Sequence, residues 1–260
     1  MNSRGVMNVK DRYKSLFLLW ILGMPVKVQA ADSVLVIDQY PINQPVFTQG
    51  LEVIENRLVL GTGLYGGSEI GWIDLETGDF QVQDQLDDDY FGEGLTATSD
   101  YLWQFTWREE KAFKRSLDDL TLLEEITFDG DGWGMAYDDK ADVIWTSDGS
   151  AQLTKRDPET LVALDTLTVT ENNQMIERIN ELEYANEAIY ANVWQTNEIV
   201  KVNLEDGQVE QVWDLTDLVE ELHFTDANPD RVLNGIAHLE GNRFYVTGKL
   251  FPIIWEVELN

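Results

Sequence analysis

One motif returns five times along this chain, and its period limits what the chain can fold into. Gln49-Gly50-Leu51, Glu93-Gly94-Leu95, Trp133-Gly134-Met135, Asn180-Glu181-Leu182 and Asn234-Gly235-Ile236 share one form. A polar or aromatic residue precedes Gly (once Glu), and an aliphatic then opens a β-run. The copies start 44, 40, 47 and 54 residues apart. A period of roughly 40–45 residues is that of a four-stranded blade, a sheet that buries its faces only by stacking on its neighbours. The expectation is an all-β chain, a five-bladed β-propeller forming a single domain over residues 31–260. Asp217 to Pro229 lengthens the last interval and is the only stretch with helical character, so a short helical insertion is expected near 217–229.

A second register supports the first. Fourteen residues on from each copy stand Gly63, Trp107, Ser147, Trp194 and Gly248, the last followed by Lys249. Each lies in or beside a strand-like run. Four acidic turn segments (74–78, 116–119, 156–160 and 203–207) are expected after the second run of their repeats, with Gly, Asp or Pro supplying the turn geometry. Ser33 to Gln39 is an orphan strand, and Ile253 to Leu259 ends the sequence. Pairing the two in one blade would remove the open edge that a propeller must protect. A β-sandwich would not explain five copies of one pattern.

Residues 1–30 read as a signal peptide. Arg4, Lys10, Arg12 and Lys14 form a basic start, Leu16 to Met24 is a short apolar run, and Val28-Gln29-Ala30 is a small-x-small cleavage signal. The alternative is an uncleaved anchor. Cleavage removes five of the 18 basic residues and one of the 48 acids, leaving 13 against 47, a net of −34. Such a surface repels nucleic acid and anionic membranes. The expected location is therefore periplasmic or secreted, with no membrane contact after cleavage, and closed blade edges favour a monomer. Cysteine is absent, which excludes disulfides, thiol catalysis and Cys-ligated zinc.

In a propeller, residues at one repeat position converge around the axis. The converging set here is Gln49, Glu93, Trp133, Asn180 and Asn234. The second register adds Trp107, Trp194 and Lys249, and Phe47 and Phe91 precede the ring by two residues. Aromatic walls with a few directed polar groups are the usual make-up of a small-molecule site. The bland alternative is that the polar groups merely satisfy channel backbone, but a carboxylate among three tryptophans is costly without a purpose. Other chemistries lack support. His223 and His238 have no paired-ligand spacing, so a catalytic zinc is unsupported and no metal or cofactor is expected. Ser147-Asp148-Gly149-Ser150 is not a nucleophile elbow, and Asp129-Gly130-Asp131-Gly132 lacks the remaining ligands of a calcium loop. Asp87-Asp88-Asp89 reads as a solvated loop, and Gly61-Thr62-Gly63 as close packing rather than a phosphate cradle.

The strings FTQGL (47–51), GLYGGS (63–68), FGEGLT (91–96), DGWGMAYD (131–138), TSDGS (146–150), NELE (180–183), ANVWQT (191–196), LNGIA (233–237) and VTGK (246–249) resemble the plant- and bacterial-type glutaminyl cyclases. The match runs in order over roughly residues 45–256. It implies a five-bladed propeller that converts N-terminal glutamine of peptides and proteins to pyroglutamate with loss of ammonia, without zinc. It places the essential carboxylate on Glu93 and the pocket on Phe47, Gln49, Phe91, Trp107, Trp133, Asn180, Trp194 and Lys249. Departures are Gly61 for a usual serine and Phe251 for a frequent Trp, the latter able to alter the pocket rim. On this reading Glu93 shuttles the proton, and Lys249, Asn180 and Gln49 are candidate donors to the oxyanion or to the substrate's first peptide carbonyl. Asn234 is a secondary substrate-binding candidate. Rival readings are a non-catalytic peptide- or glycan-binding propeller and a metal-holding propeller hydrolase or lactonase.

Overall fold

The structure is a computed structural model that describes residues 33–260, so the signal-peptide reading lies outside the described residues. After a first strand β1 (Val34–Pro41), blade 1 comprises β2 (Thr48–Ile54), β3 (Arg57–Thr62), β4 (Glu69–Asp74) and β5 (Asp79–Gln85). Blade 2 holds β6 (Gly92–Ala97), β7 (Leu102–Thr106), β8 (Lys111–Arg115) and β9 (Leu122–Thr127), and blade 3 holds β10 (Met135–Asp138), β11 (Val143–Ser147), β12 (Gln152–Arg156) and β13 (Ala163–Thr168). A two-stranded hairpin, β14 (Thr170–Glu171) and β15 (Gln174–Met175), precedes blade 4, which is β16 (Ile179–Ala185), β17 (Ala188–Val193), β18 (Glu198–Asn203) and β19 (Val209–Asp214). After helix α1 (Thr216–Glu220) come β20 (Leu233–Glu240), β21 (Arg243–Gly248) and β22 (Ile253–Leu259).

Each blade is an antiparallel four-stranded meander, and blade 5 borrows its outermost strand from the start of the described chain, in the order β1-β22-β21-β20. Val34 pairs with Leu259 and Pro41 with Ile253, so the edge of β22 is covered as expected. Packing between blades is aromatic. Trp103, Trp213 and Trp255 are fully buried, and Tyr190 of blade 4 packs on Phe244 of blade 5 at 4.6 Å, while Tyr190 also stacks on Trp213 of its own blade at 5.6 Å. Each such ring removes a large apolar area from water, on the order of 1.5–3 kcal/mol.

One sequence expectation is corrected. The acidic turns follow the third strand of each blade, not the second, because the β2–β3 type hairpins are so short that two strands read as one run. Each of the four turns is closed by a residue at positive φ, at its end or directly after it, whose N–H returns to the carbonyl four residues back: Gly78 to Asp74, Leu120 to Ser116, Leu161 to Asp157 and Gly207 to Asn203. The short helix stands in the insertion as expected, over residues 216–220. His223 takes φ +48, which a right-handed helix cannot continue through. Phe224 then turns inward to pack on Phe251 at 5.4 Å.

The innermost strands approach more closely than side chains allow, and glycine makes that possible. A Cβ on Gly94 would lie 2.5 Å from the Trp133 carbonyl oxygen, and one on Gly134 only 2.1 Å from that of Asn180. The copy that has Glu181 instead uses it as a pin: its two carboxylate oxygens accept from Leu51 N–H at 3.2 Å and Ile236 N–H at 2.9 Å, joining blade 4 to blades 1 and 5. Three residues along from the ring, Glu52 accepts from Ala97 N–H, Thr96 from Tyr137 N–H, and Glu183 from His238 N–H, each reaching the next blade.

Candidate active site

The starts of the inner strands and the ends of the second strands open at one end of the axis, because the two are antiparallel. There they enclose a cavity of about 280 Å³. Gln49 sits on β2, Glu93 on β6 and Asn180 on β16; Phe47, Phe91 and Trp133 lie just before β2, β6 and β10. Trp107, Trp194 and Lys249 lie just after β7, β17 and β21. All nine line the cavity, together with Leu64 and Asp230, which sequence reasoning missed. Leu64 directly follows Gly63 of the second register and could have been found there. Asp230 directly follows the insertion, where no repeat points to it.

Aromatic rings form the walls. Phe91 meets Phe47 at 6.1 Å, Trp107 at 5.6 Å and Tyr65 at 5.4 Å, all edge to face. Trp133 and Trp194 meet edge to face at 5.6 Å. A Cβ on Gly149 would lie 2.6 Å from the Trp133 ring, so only glycine lets that indole lie where it does.

Glu93 is 6% exposed. Its Oε1 accepts from Gln49 Nε2 at 2.9 Å. Burial pushes its carboxyl up to about 8, the Lys249 ammonium pulls the other way, and the nearby carboxylates of Glu109 and Asp131 push further up. Lys249 is 6% exposed with its Nζ 5.1 Å from the centre of the Phe47 ring. Its burial lowers the amine below the usual lysine range, against the pull of Glu93 and Asp230. The pocket therefore holds an acid and a base whose affinities for a proton have been drawn together, enclosed by apolar rings. Trp133 Nε1 and Asn180 Oδ1 are buried without a hydrogen-bond partner, a donor and an acceptor at the wall.

Asn234 is not brought into the lining. It is fully buried behind Gln49, with Nδ2 donating to the Thr48 carbonyl oxygen at 3.1 Å. Phe251, expected at the rim, is buried in the core between Phe224 and Trp255. Ser147 Oγ donates to the Asn180 carbonyl oxygen at 2.6 Å and accepts from Gly134 N–H, a structural role between two blades. The residues of Asp87-Asp88-Asp89 are exposed. Among the described residues no three His, Cys, Asp or Glu side chains are grouped to hold a metal ion.

Five closed blades around one aromatic pocket with a single buried carboxylate define a β-propeller with an axial pocket. A sequence profile described as glutamine cyclotransferase matches residues 19–259, and the chain belongs to that family. It is 36% identical over 227 residues to an Arabidopsis thaliana glutaminyl-peptide cyclotransferase, covering 86% of this chain and 70% of the relative. The crystal structure of Myxococcus xanthus glutaminyl cyclase superposes with a TM-score of 0.80 at 31% identity, covering 88% of this chain and 97% of that one. A Bacteroides thetaiotaomicron protein of unknown function shares the fold alone, at 9% identity and a TM-score of 0.52.

Proposed function

We propose that the chain is a glutaminyl cyclase that converts the N-terminal glutamine of peptides and proteins to pyroglutamate, with Glu93 as its proton shuttle. The observation that carries this reading is Glu93 buried in an aromatic pocket, bonded to Gln49 and under the charge of Lys249, in a member of this family. The substrate's α-amine nitrogen attacks its own side-chain amide carbon, forming the lactam C–N bond. The original amide C–N bond then breaks and ammonia leaves. Both reacting groups belong to one residue, so the protein's task is to fold that side chain and to move protons.

Trp107, Trp133 and Trp194, with Phe47 and Phe91, clamp the aliphatic stem and exclude water. Glu93 takes the proton as the amine attacks and returns it to the departing nitrogen. Lys249 faces the oxygen that gains negative charge, where a cation in a dry pocket is strongly stabilising. Asn180 and Gln49 direct the amide and the first peptide carbonyl. The reaction runs on these side chains without a metal. Mass spectrometry of a Gln-initiated peptide after incubation, with an ammonia assay, tests the reading. An intact peptide that binds but releases no ammonia would instead indicate a binding propeller.

We further propose export of a monomer to the periplasm or beyond, supported by the basic, apolar and small-x-small succession of residues 1–30 and by the covered blade edges. Among the described residues no helix is long and apolar enough to cross a membrane. N-terminal sequencing of the purified protein should find Ala31 first, and light scattering should give a mass close to one chain.

A further inference from the structure

From the pocket wall inward, three carboxyl and carboxamide side chains from one repeat position stand in series: Glu93 and Gln49 in the lining and Asn234 behind them. Gln49 Nε2 donates to Glu93 Oε1 at 2.9 Å, and Asn234 Nδ2 lies 3.1 Å from the Thr48 carbonyl oxygen and 3.5 Å from Gln49 Oε1. Each of these side chains is almost entirely removed from solvent. A carboxamide can be turned end for end, and which end faces a neighbour is decided by what that neighbour can accept or donate. The Thr48 main-chain oxygen can only accept. It therefore fixes the amide of Asn234 with its NH2 group toward blade 1. That group also faces the carboxamide of Gln49, whose oxygen must meet it, because the turned alternative would set two donors against each other. The Gln49 NH2 is then left pointing at Glu93. Little slack remains in the stem: a Cβ on Gly63 would lie 2.8 Å from Gln49 Cγ and 2.3 Å from the Phe91 ring.

We propose that Asn234 is a positioning residue which, anchored on the Thr48 carbonyl, holds the carboxamide of Gln49 so that Glu93 always meets a donor at Oε1. The idea rests on the proposed role of Glu93 in cyclisation, and it assigns to Asn234 a task other than touching the substrate. A fixed donor at Oε1 favours the ionised carboxylate and leaves Oε2 as the oxygen that carries the proton. Once released, Gln49 can turn and accept from a protonated Glu93 instead, which favours the acid.

The test is the pH midpoint of Glu93 in Asn234→Ala. It is read in the ligand-free protein from the fluorescence of the pocket tryptophans, with Glu93→Gln as the blank that lacks the transition, and again from the alkaline limb of kcat/KM on one Gln-peptide, the acid limb being held by the substrate's own amine near 7.7–8.0. The other charged groups acting on Glu93 (Lys249, Glu109 and Asp131) stay in place. The expected result is an upward move of about one pH unit, the size of one hydrogen bond to a charged group, with KM little changed. Gln49→Met should move the midpoint the same way, and the double variant no further, because both changes remove one connection. Asn234→Ser guards against a folding defect, since its hydroxyl can donate to Thr48 O but not to Gln49 as well; it too should move the midpoint. A merely structural Asn234 would lower the melting temperature and leave the midpoint where it was, or give effects that add to those of Gln49→Met. Either outcome overturns the proposal. Because the fluorescence titration needs no turnover, failure to release ammonia counts against the proposed function and not against this arrangement.

Discussion

Gln49 donates to Glu93 across the boundary between blades 1 and 2, at 2.9 Å, although the two are 44 residues apart and occupy the same position of the repeat. The symmetry of the fold thus builds a carboxamide–carboxylate pair from two copies of one position. It also leaves Glu93 with one oxygen committed and one available.

The titration of Glu93 sets the expected pH profile. Its carboxyl is pushed up to about 8 by burial, and a free α-amine titrates near 7.7–8.0. In the proposed reaction, turnover needs one proton on the pair. Well below pH 8 both groups are protonated and no base is available; well above it neither holds a proton for the leaving nitrogen. The profile of kcat/KM should therefore be a bell with its top near pH 8. Glu93→Gln should reduce turnover by about 10²–10⁴-fold at that pH while leaving peptide binding largely in place. A variant retaining a tenth of the activity would remove Glu93 from the proton path.

Lys249 acts on the same carboxyl from the other side. Its charge lowers the Glu93 value, so Lys249→Met should let that value rise and displace the bell to higher pH. The same change removes the cation proposed to face the developing oxyanion, which should cost on the order of 10²-fold in kcat. Loss of rate with an unmoved bell would confine Lys249 to the oxyanion, and a moved bell with full rate would confine it to Glu93.

The parts of this molecule that the sequence reveals are those that repeat. Gln49, Glu93, Trp133, Asn180 and Asn234 recur at the blade period, and Trp107, Trp194 and Lys249 follow at a fixed offset, so the ring, the pocket and the closing strand pair are all readable. What stays hidden is what breaks the period. Glu52 and Glu183 sit three residues past the ring, but Thr96, Ala136 and Ala237 fill the other copies, so no residue type marks the position. Asp230 reaches the pocket from just beyond the insertion, in which His223 adopts a left-handed backbone after the short helix. Asn234 is formally equivalent to Glu93 in the repeat. Only the packing of Gln49 in front of it shows that it stands behind the wall.

Those hidden carboxyls make stability depend on pH. Burial pushes Glu52 from 4.5 up to about 7, and Glu183 is raised by burial and by the charge of Glu52. The folded protein thus holds these protons more tightly than the unfolded chain does. Their contribution is fully present below about pH 4.5 and is lost as pH rises toward 7. Exposed carboxylates have mostly ionised by pH 5 and add little to the slope above it. The melting temperature should fall between pH 5 and 7 by an amount on the order of 5 °C, and Glu183→Gln should flatten that fall. An equal slope in the variant would mean that other groups take up the protons.

Glu181 is the one departure from glycine in the ring motif, and its substitution separates the demands of the repeat from those of the fold. Glu181→Gly restores the consensus of the other four copies but leaves the N–H groups of Leu51 and Ile236 without their acceptors. Each orphaned buried donor costs about 1–3 kcal/mol, so the glycine variant should lose a few kcal/mol despite matching its neighbours better. Glu181→Gln keeps one acceptor oxygen and should lose less. Burial already raises the Glu181 carboxyl well above its ordinary value, so the amide also avoids the cost of a buried charge at high pH. Denaturant unfolding of the three proteins at pH 6 and 9 checks the order. Wild type should stand above glutamine and glutamine above glycine at pH 6, with the first gap narrowing at pH 9. A glycine variant as stable as the wild type would show that the three blades hold together without the pin.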